Sequence, residues 1–388
     1  MATNENRQRK ASRYVVPVVV AGVAAATIGL VPALAASGDP DLPEITAQQL
    51  IEKIAGSDTQ TLSGTFKIST DLGLPSFAGL LPAPSGSASA DPADKLTELV
   101  SGSHTLRLAA DGPDRQKLTL LDGSDEYSLI HNGNDVWAYD SKSNEAFHEK
   151  AEGKDGAEAE EGRLPGTPKE LADEVLKAAG DTTSITVGGT AKVAGRDAYQ
   201  LVIKPKQSGS TVESVKISVD AKTGTPLKFT LASVDGGKPV VDAGFTKIDF
   251  GKPDASAFDF KAPKGAKVTE GAAEKGAREG ADKPFGGLAD LGGFGAGLDG
   301  KDGSVDVIGE GWTTIAKLDS GAPAPKTDEA PKEVQGFLDA LGDKVSGKFG
   351  SGTVFKTKLV NALMTDDGKV YVGAVTPQKL VETANAAK

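Results

Sequence analysis

The stretch that decides the fold runs from Asp181 to Val268: DTTSITVGGTAKVAGRDAYQLVIKPKQSGSTVESVKISVDAKTGTPLKFTLASVDGGKPVVDAGFTKIDFGKPDASAFDFKAPKGAKV. Ile185-Thr186-Val187 meets Gly188-Gly189, a pair suited to a tight turn because glycine accepts positive φ. Ala191-Lys192-Val193 passes through Gly195-Arg196-Asp197 into Tyr199-Gln200-Leu201-Val202-Ile203. Val215, Ile217 and Val219 alternate with Lys216 and Ser218, and Asp220-Ala221-Lys222-Thr223-Gly224 turns the chain into Leu227-Lys228-Phe229-Thr230-Leu231. Asp235-Gly236-Gly237 turns it again before Val240 to Phe250. Period-two alternation places one set of side chains on an apolar face and the other in water. Short turns make neighbouring strands antiparallel. The stretch therefore predicts a curved antiparallel meander with one apolar face.

Outward from it, composition narrows the class. The chain has 388 residues, enough for two domains. Aromatics are only 5% and glycines number 48, which fits an extended, loop-rich β protein. The net charge of −11 argues against nucleic acid, whose phosphates need a basic surface, so no nucleic-acid partner is expected. There is no cysteine, which excludes disulfides, thiolate metal sites and a cysteine nucleophile.

The first residues form a targeting pattern. Arg7, Arg9, Lys10 and Arg13 precede an apolar run from Val15 to Val31, and Ala33-Leu34-Ala35 fits the small-x-small cleavage rule. Cleavage after Ala35 makes 1–35 a signal peptide; left uncleaved, it is an anchor with its basic end inside. Either way the working part is exported, to the exterior or the outer face of the cytoplasmic membrane.

Before the meander, Thr46 with Gln49 forms a capping box, and Ala47, Leu50, Ile51 and Ile54 fall on one helical stripe ending near Gly56. Leu62 to Thr70 is a strand. Leu72 to Pro92 is apolar yet irregular: a surface insertion, or a flap over an apolar cavity. Asp94 to Val100 suggests a short helix. Alternating strands resume over 104–108, 116–121, 126–131 and 135–139, with Asn132-Gly133 a strong hairpin signal. Trp137 and Tyr139 share a face, either as sheet packing or as cavity lining. An acidic loop over 149–166 leads to a helix opening at Thr167-Pro168 and carrying Ala172, Val175 and Leu176.

After the meander, 270–305 reads as a Gly-rich linker. Its Gly295 to Gly300 matches G-x-G-x-x-G but lacks the strand and helix that give that pattern meaning. The remaining 306–388 predicts a strand or short helix at 312–318, a helix after Pro331 stopping at Gly342, a hairpin turning at Thr365-Asp366-Asp367-Gly368, and a helix opening at Thr376-Pro377. This segment is small enough either to stand alone marginally or to pack on the main sheet.

Catalytic signals are missing. His104, His131 and His148 lack metal-motif spacing, and no serine sits in G-x-S-x-G. The carboxylates Asp111, Asp122, Asp220 and Asp235 occupy turns, where Asp bonds nearby backbone N–H groups. A noncatalytic protein, without cofactor or metal, is expected.

Four segments carry a resemblance: Gln48 to Ile54 leading into Leu62-Ser63-Gly64-Thr65, Val193 to Leu201 (VAGRDAYQL), Val219 to Leu227 (VDAKTGTPL) and Phe245 to Phe250 (FTKIDF). Together they resemble the lipoprotein-carrier superfamily of LolA, LolB and the N-terminal domain of the sigma-factor regulator RseB, and within it the actinobacterial, Streptomyces-type secreted LolA-like proteins. The likeness spans about residues 41–268. It implies an α+β fold: an incomplete antiparallel β-barrel, its concave apolar face covered by helices, over 36–269, with a small C-terminal α/β-hairpin segment beyond. It also implies a cavity that takes a lipid or lipoprotein acyl chain, as in a cell-envelope carrier, or an RseB-like sensor with a membrane-protein partner such as an anti-sigma factor. The candidate lining residues are Leu50, Ile54, Phe66, Ile68, Leu106, Leu108, Trp137, Tyr139, Leu201, Ile203, Phe229 and Leu231. Strand parity decides which of them point inward, because a one-residue error reverses every side chain.

Overall fold

The computed structural model describes residues 40–73, 102–150, 176, 180–271, 305–319 and 342–387. The expected leader, the short helix at 94–100 and the post-Pro331 helix up to Gly342 lie outside these residues, as do the flap beyond Gly73 and all but Leu176 of the helix after Thr167; the expected acidic loop and linker lie outside too, except that Glu149-Lys150, Glu270-Gly271 and Val305 are strand residues.

Two meanders build the larger sheet. The first runs through β1 (Thr61–Thr70), β2 (Gly102–Asp111), β3 (Arg115–Asp122), β4 (Asp125–Asn132), β5 (Asp135–Asp140) and β6 (Glu145–Lys150). The second runs through β7 (Thr183–Val193), β8 (Arg196–Pro205), β9 (Val212–Asp220), β10 (Pro226–Ser233) and β11 (Val241–Asp249). β1 pairs antiparallel with β11, which zips the meanders into one sheet. A further strand the alternation did not reveal, β12 (Lys267–Gly271), is added parallel to β6. The order is β12-β6-β5-β4-β3-β2-β1-β11-β10-β9-β8-β7. β7 and β12 are unjoined edges, so the sheet stays open, yet β7 also comes against β11, four places away, so the sheet curls. The fold is α+β with an unclosed, curved sheet.

Gly188-Gly189 does not turn the chain. β7 is continuous from Thr183 to Val193, and the register to β8 shifts between Val187 and Thr190. The glycines form a bulge, which bends a strand and increases its twist. A Cβ on Gly188 would sit 2.9 Å from a Val202 methyl, so this bend also needs a residue without a side chain.

The first helix, α1 (Ala47–Ala55), has the predicted capping box: Thr46 Oγ1 accepts from the Gln49 amide, and Gln49 Oε1 accepts from the Thr46 amide. Its Leu50 and Ile51 are buried against Tyr199, Leu201, Ile203, Ile217 and Val219 of β8 and β9. Leu176 packs into the same cluster. After β11, a 3-10 turn (Ala255–Phe258) lies against β3 and β4 with Phe258 fully buried.

The C-terminal part is a second sheet of six strands: β13 (Val305–Ile308), β14 (Ile315–Asp319), β15 (Gly342–Gly347), β16 (Gly350–Phe355), β17 (Asn361–Thr365) and β18 (Lys369–Gly373). The stretch at 312–318 resolves into a 3-10 turn (Gly311–Thr313) followed by β14. Gly342, expected to stop a helix, opens β15. α2 (Pro377–Ala386) starts as predicted, with Thr376 as cap and Pro377 in its first turn. It buries Leu380 and Ala384 against Leu363, Tyr371 and Ile315.

This sheet packs on the turn between β8 and β9. The Thr211 amide donates to the Ala374 carbonyl (3.0 Å) and the Thr376 amide to the Gly209 carbonyl (2.8 Å). Trp312 Nε1 donates to Thr183 Oγ1 (2.7 Å), and Lys358 Nζ meets Asp71 (2.6 Å). The Lys358 ammonium holds the Asp71 carboxyl below the usual range.

Candidate functional site: the apolar sheet face

In an antiparallel ladder, partners point to the same side, so the register reads out both faces. Gly64, Leu108, Leu118, Leu129, Ala138 and Phe147 form one row crossing β1 to β6. Phe66 pairs with Leu106 on one side and Phe245 on the other, the two rings edge to face with centroids 5.6 Å apart. Ile68 pairs with Ala243, which pairs with Phe229, Ile217 and then Leu201. Leu231 connects through Val215 to Ile203 in the same way.

One continuous apolar face thus runs from β6 to β8. It collects Phe66, Ile68, Leu106, Leu108, Leu201, Ile203, Phe229 and Leu231, and α1 adds Leu50 and Ile54 over its β8–β9 end. Phe66, Leu106, Leu201 and Ile203 are buried, whereas Ile68, Leu108, Leu118, Leu129, Phe147, Phe229 and Leu231 are only half-buried.

Trp137 and Tyr139 are not part of this face. Ala138 points into it, so its two neighbours point to the opposite side. There Phe260 packs on both rings, with centroids 5.2 Å and 5.4 Å away, and the Tyr139 hydroxyl donates to Asn144 (3.2 Å). Sequence alternation separated Ala138 from its aromatic neighbours without saying which side was inward. The omitted members of the face, Leu118, Leu129 and Phe147, follow from the same parity once Ala138 is placed.

The segments that carry the family likeness meet at one end of the sheet. Arg196 of VAGRDAYQL grips Asp220 of VDAKTGTPL with two bonds, Nε to Oδ2 at 2.6 Å and Nη2 to Oδ1 at 3.0 Å. Asp220 Oδ1 also accepts from the Lys222 and Thr223 amides and the Thr223 hydroxyl. Burial pushes the Asp220 carboxyl up, but the guanidinium and the Thr223 donors outweigh it and hold it below the usual range. Arg196 further lies over the Phe250 ring, 4.8 Å from its centroid. Gly224, at φ +76°, passes the end of α1 so closely that a Cβ would fall 2.2 Å from the Lys53 carbonyl oxygen. The motifs thus lock two hairpin corners together, one of them against the end of α1.

Beside α1 lies an open depression of about 740 Å³, bordered by Glu44, Glu52, Asp58, Lys53 and Lys222. Its size suits a ligand, but its border is mostly polar or charged, with Ile45 and Tyr199 its apolar members, which is wrong for an acyl chain. Among the described residues, no three His, Asp or Glu side chains are grouped as metal ligands would be. Among them also, no helix is long and apolar enough to cross a membrane.

The geometry defines a class: an α+β protein whose open sheet presents a broad, incompletely sealed apolar face. No family model matches the chain, and no curated protein matches its sequence. Solved structures similar to it include the MucA/MucB complex of Pseudomonas aeruginosa, with 16% identity, TM-score 0.39, and 87% of this chain and 96% of that chain covered. An uncharacterized conserved protein of Thermus thermophilus is 12% identical, with TM-score 0.32, covering 58% of this chain and 99% of that chain. A LolA superfamily protein of Nitrosomonas europaea is also 12% identical, with TM-score 0.21, covering 56% of this chain and 99% of that chain. These superpositions are loose, and the functional reading rests on this chain's own residues.

Proposed function

We propose that this is a noncatalytic, exported binding protein that holds a lipid or lipoprotein acyl chain against the apolar sheet face. The observation that carries the reading is the row Gly64, Leu108, Leu118, Leu129, Ala138, Phe147, crossing β1 to β6 with its larger members half-buried. Five strand spacings of about 4.8 Å make the row roughly 24 Å long. One leaflet of a bilayer's hydrocarbon core is about 15 Å thick, so one acyl chain lies along the row with space to spare. Burying it gains about 0.8 kcal/mol per CH₂, so affinity needs no charged contact. The sequence resemblance to lipoprotein carriers and the leader pattern support the same reading.

Native mass spectrometry of the purified chain, followed by displacement of a fluorescent fatty acid, tests it. Copurified lipid, and displacement weakened by Leu129→Ala, are expected. A lipid-free protein that does not bind the probe would sink the proposal.

One observation favours a second reading, an envelope sensor acting on a membrane-protein partner: the second sheet has its own core and docks on the β8–β9 turn, giving a two-part architecture. Pull-down with the exported domain of a neighbouring anti-sigma factor separates the readings, since a pure carrier retains nothing.

A further inference from the structure

β12 is fastened differently from every other described strand. It is an edge strand, and its ladder to β6 is parallel where all other described pairings are antiparallel. Parallel pairing is slightly weaker per residue. Val268 is 41% exposed, so little apolar burial holds the strand down. Two side-chain contacts do: Lys267 Nζ to Glu145 Oε1, and His148 Nδ1 to Glu270 Oε2, each 2.8 Å.

The second contact has an unusual geometry. His148 is buried on β6, lies flat on Trp137 with ring centroids 3.9 Å apart, and has its other nitrogen, Nε2, 2.8 Å from Asp135 Oδ1 on β5. Carboxylates only accept hydrogen bonds. A neutral imidazole has one N–H, so it can satisfy one of these carboxylates and must turn a lone pair toward the other. The imidazolium donates to both. Charged groups on this side include Lys150, two residues along β6 and opposite Asp135, Lys117 and Arg115 on β3 in the ladder rows of His148 and Asp135, and Asp259, which is engaged by Asn132.

We propose that His148 is a proton-operated latch on the edge strand. Protonated, it ties Asp135 to Glu270 and holds β12 on β6. Neutral, it keeps one carboxylate and releases the other. Glu270, with its side chain 70% exposed against 46% for Asp135, is the one that leaves. Release uncovers the hydrogen-bonding edge of β6, a template for another strand, and loosens the end of the larger sheet from which the chain continues toward the second sheet.

Hydrogen–deuterium exchange of the full chain, corrected for intrinsic rates, tests this between about pH 5.5 and about pH 8, where histidine changes charge. In the wild type, protection of residues 267–271 is expected to fall about threefold across that range, a modest change because both carboxylates are exposed. Peptides from β3 and β4 should not change. Glu270→Gln should give low, pH-independent protection. Asp135→Asn leaves a single carboxylate for the ring, so protection should persist at the upper pH. Flat wild-type protection, or the same fall in both variants, would overturn the latch.

Discussion

The two sheets of this protein treat their apolar faces in opposite ways. Under α2 the small sheet is sealed: Leu363, Leu380 and Ala384 are fully buried, and Tyr371 nearly so. The larger sheet has α1 over β8 and β9, while Leu108, Leu118, Leu129 and Phe147 at its other end stay half-buried. A sealed face is a core, and its side chains have nothing left to bind. A face left partly open keeps apolar contact free energy in reserve for something else. On the proposed reading, the small sheet's face serves stability and the large one's serves a ligand.

The contrast breaks most visibly at Leu380. Leu380→Ala should cost about 2–5 kcal/mol by the cavity it leaves, read by denaturation of the full chain, with no change in fatty-acid affinity. Equal loss of affinity would mean that the second sheet takes part in binding.

Next comes the clasp beneath α1. Asp220→Asn removes the charge that Arg196 grips and should cost about 1.5–3 kcal/mol. The sign with pH follows from the direction of the shift. Asp220 is held below the ordinary carboxylate value, so its contribution is fully present above the unfolded pKa of about 3.9 and is lost as pH falls toward the folded value. The wild type should therefore lose stability in acid below about pH 4 more steeply than the variant. Parallel acid-melting curves would remove the clasp from the account.

Thr46→Ala should cost about 1 kcal/mol by uncapping α1. Exchange of the α1 amides should rise while the second sheet stays protected. If both loosen together, the two regions share one cooperative unit and the contrast is false.

The smallest effect on stability is expected at the open end. Leu129→Ala should cost about 1 kcal/mol or less, because the side chain is already half in water. Its effect should show instead as weaker fatty-acid binding, the reverse of Leu380→Ala.

Much of this was legible in local sequence. The hairpins at Gly123 and Gly133, the capping box at Thr46 and the start of α2 follow from turn and cap chemistry, which acts within a few residues. Three features were hidden because distant chain decides them. Gly188-Gly189 suits both a turn and a bulge, and only the pairing of β7 with β8 selects the bulge. Lys267 to Gly271 is too short and too polar to stand out as a strand, and exists because the edge of β6 is there to receive it. Trp137 and Tyr139 look like core residues; Phe260, more than a hundred residues later in the chain, supplies their cover on the other side. The lining followed the same logic. Alternation groups side chains by face within each strand, and only the ladders join the groups across strands into one apolar face.

The β8–β9 hairpin has a mechanical consequence. One end is clamped under α1 by Arg196, Asp220 and the close pass of Gly224, and the other is bolted to the second sheet at Gly209 and Thr211. Between the clamps it carries Leu201, Ile203 and Ile217 on the apolar face. A beam fixed at both ends cannot yield in the middle without loading its supports. The amides of β8 and β9 between the clamps should therefore be among the slowest of the larger sheet to exchange with solvent.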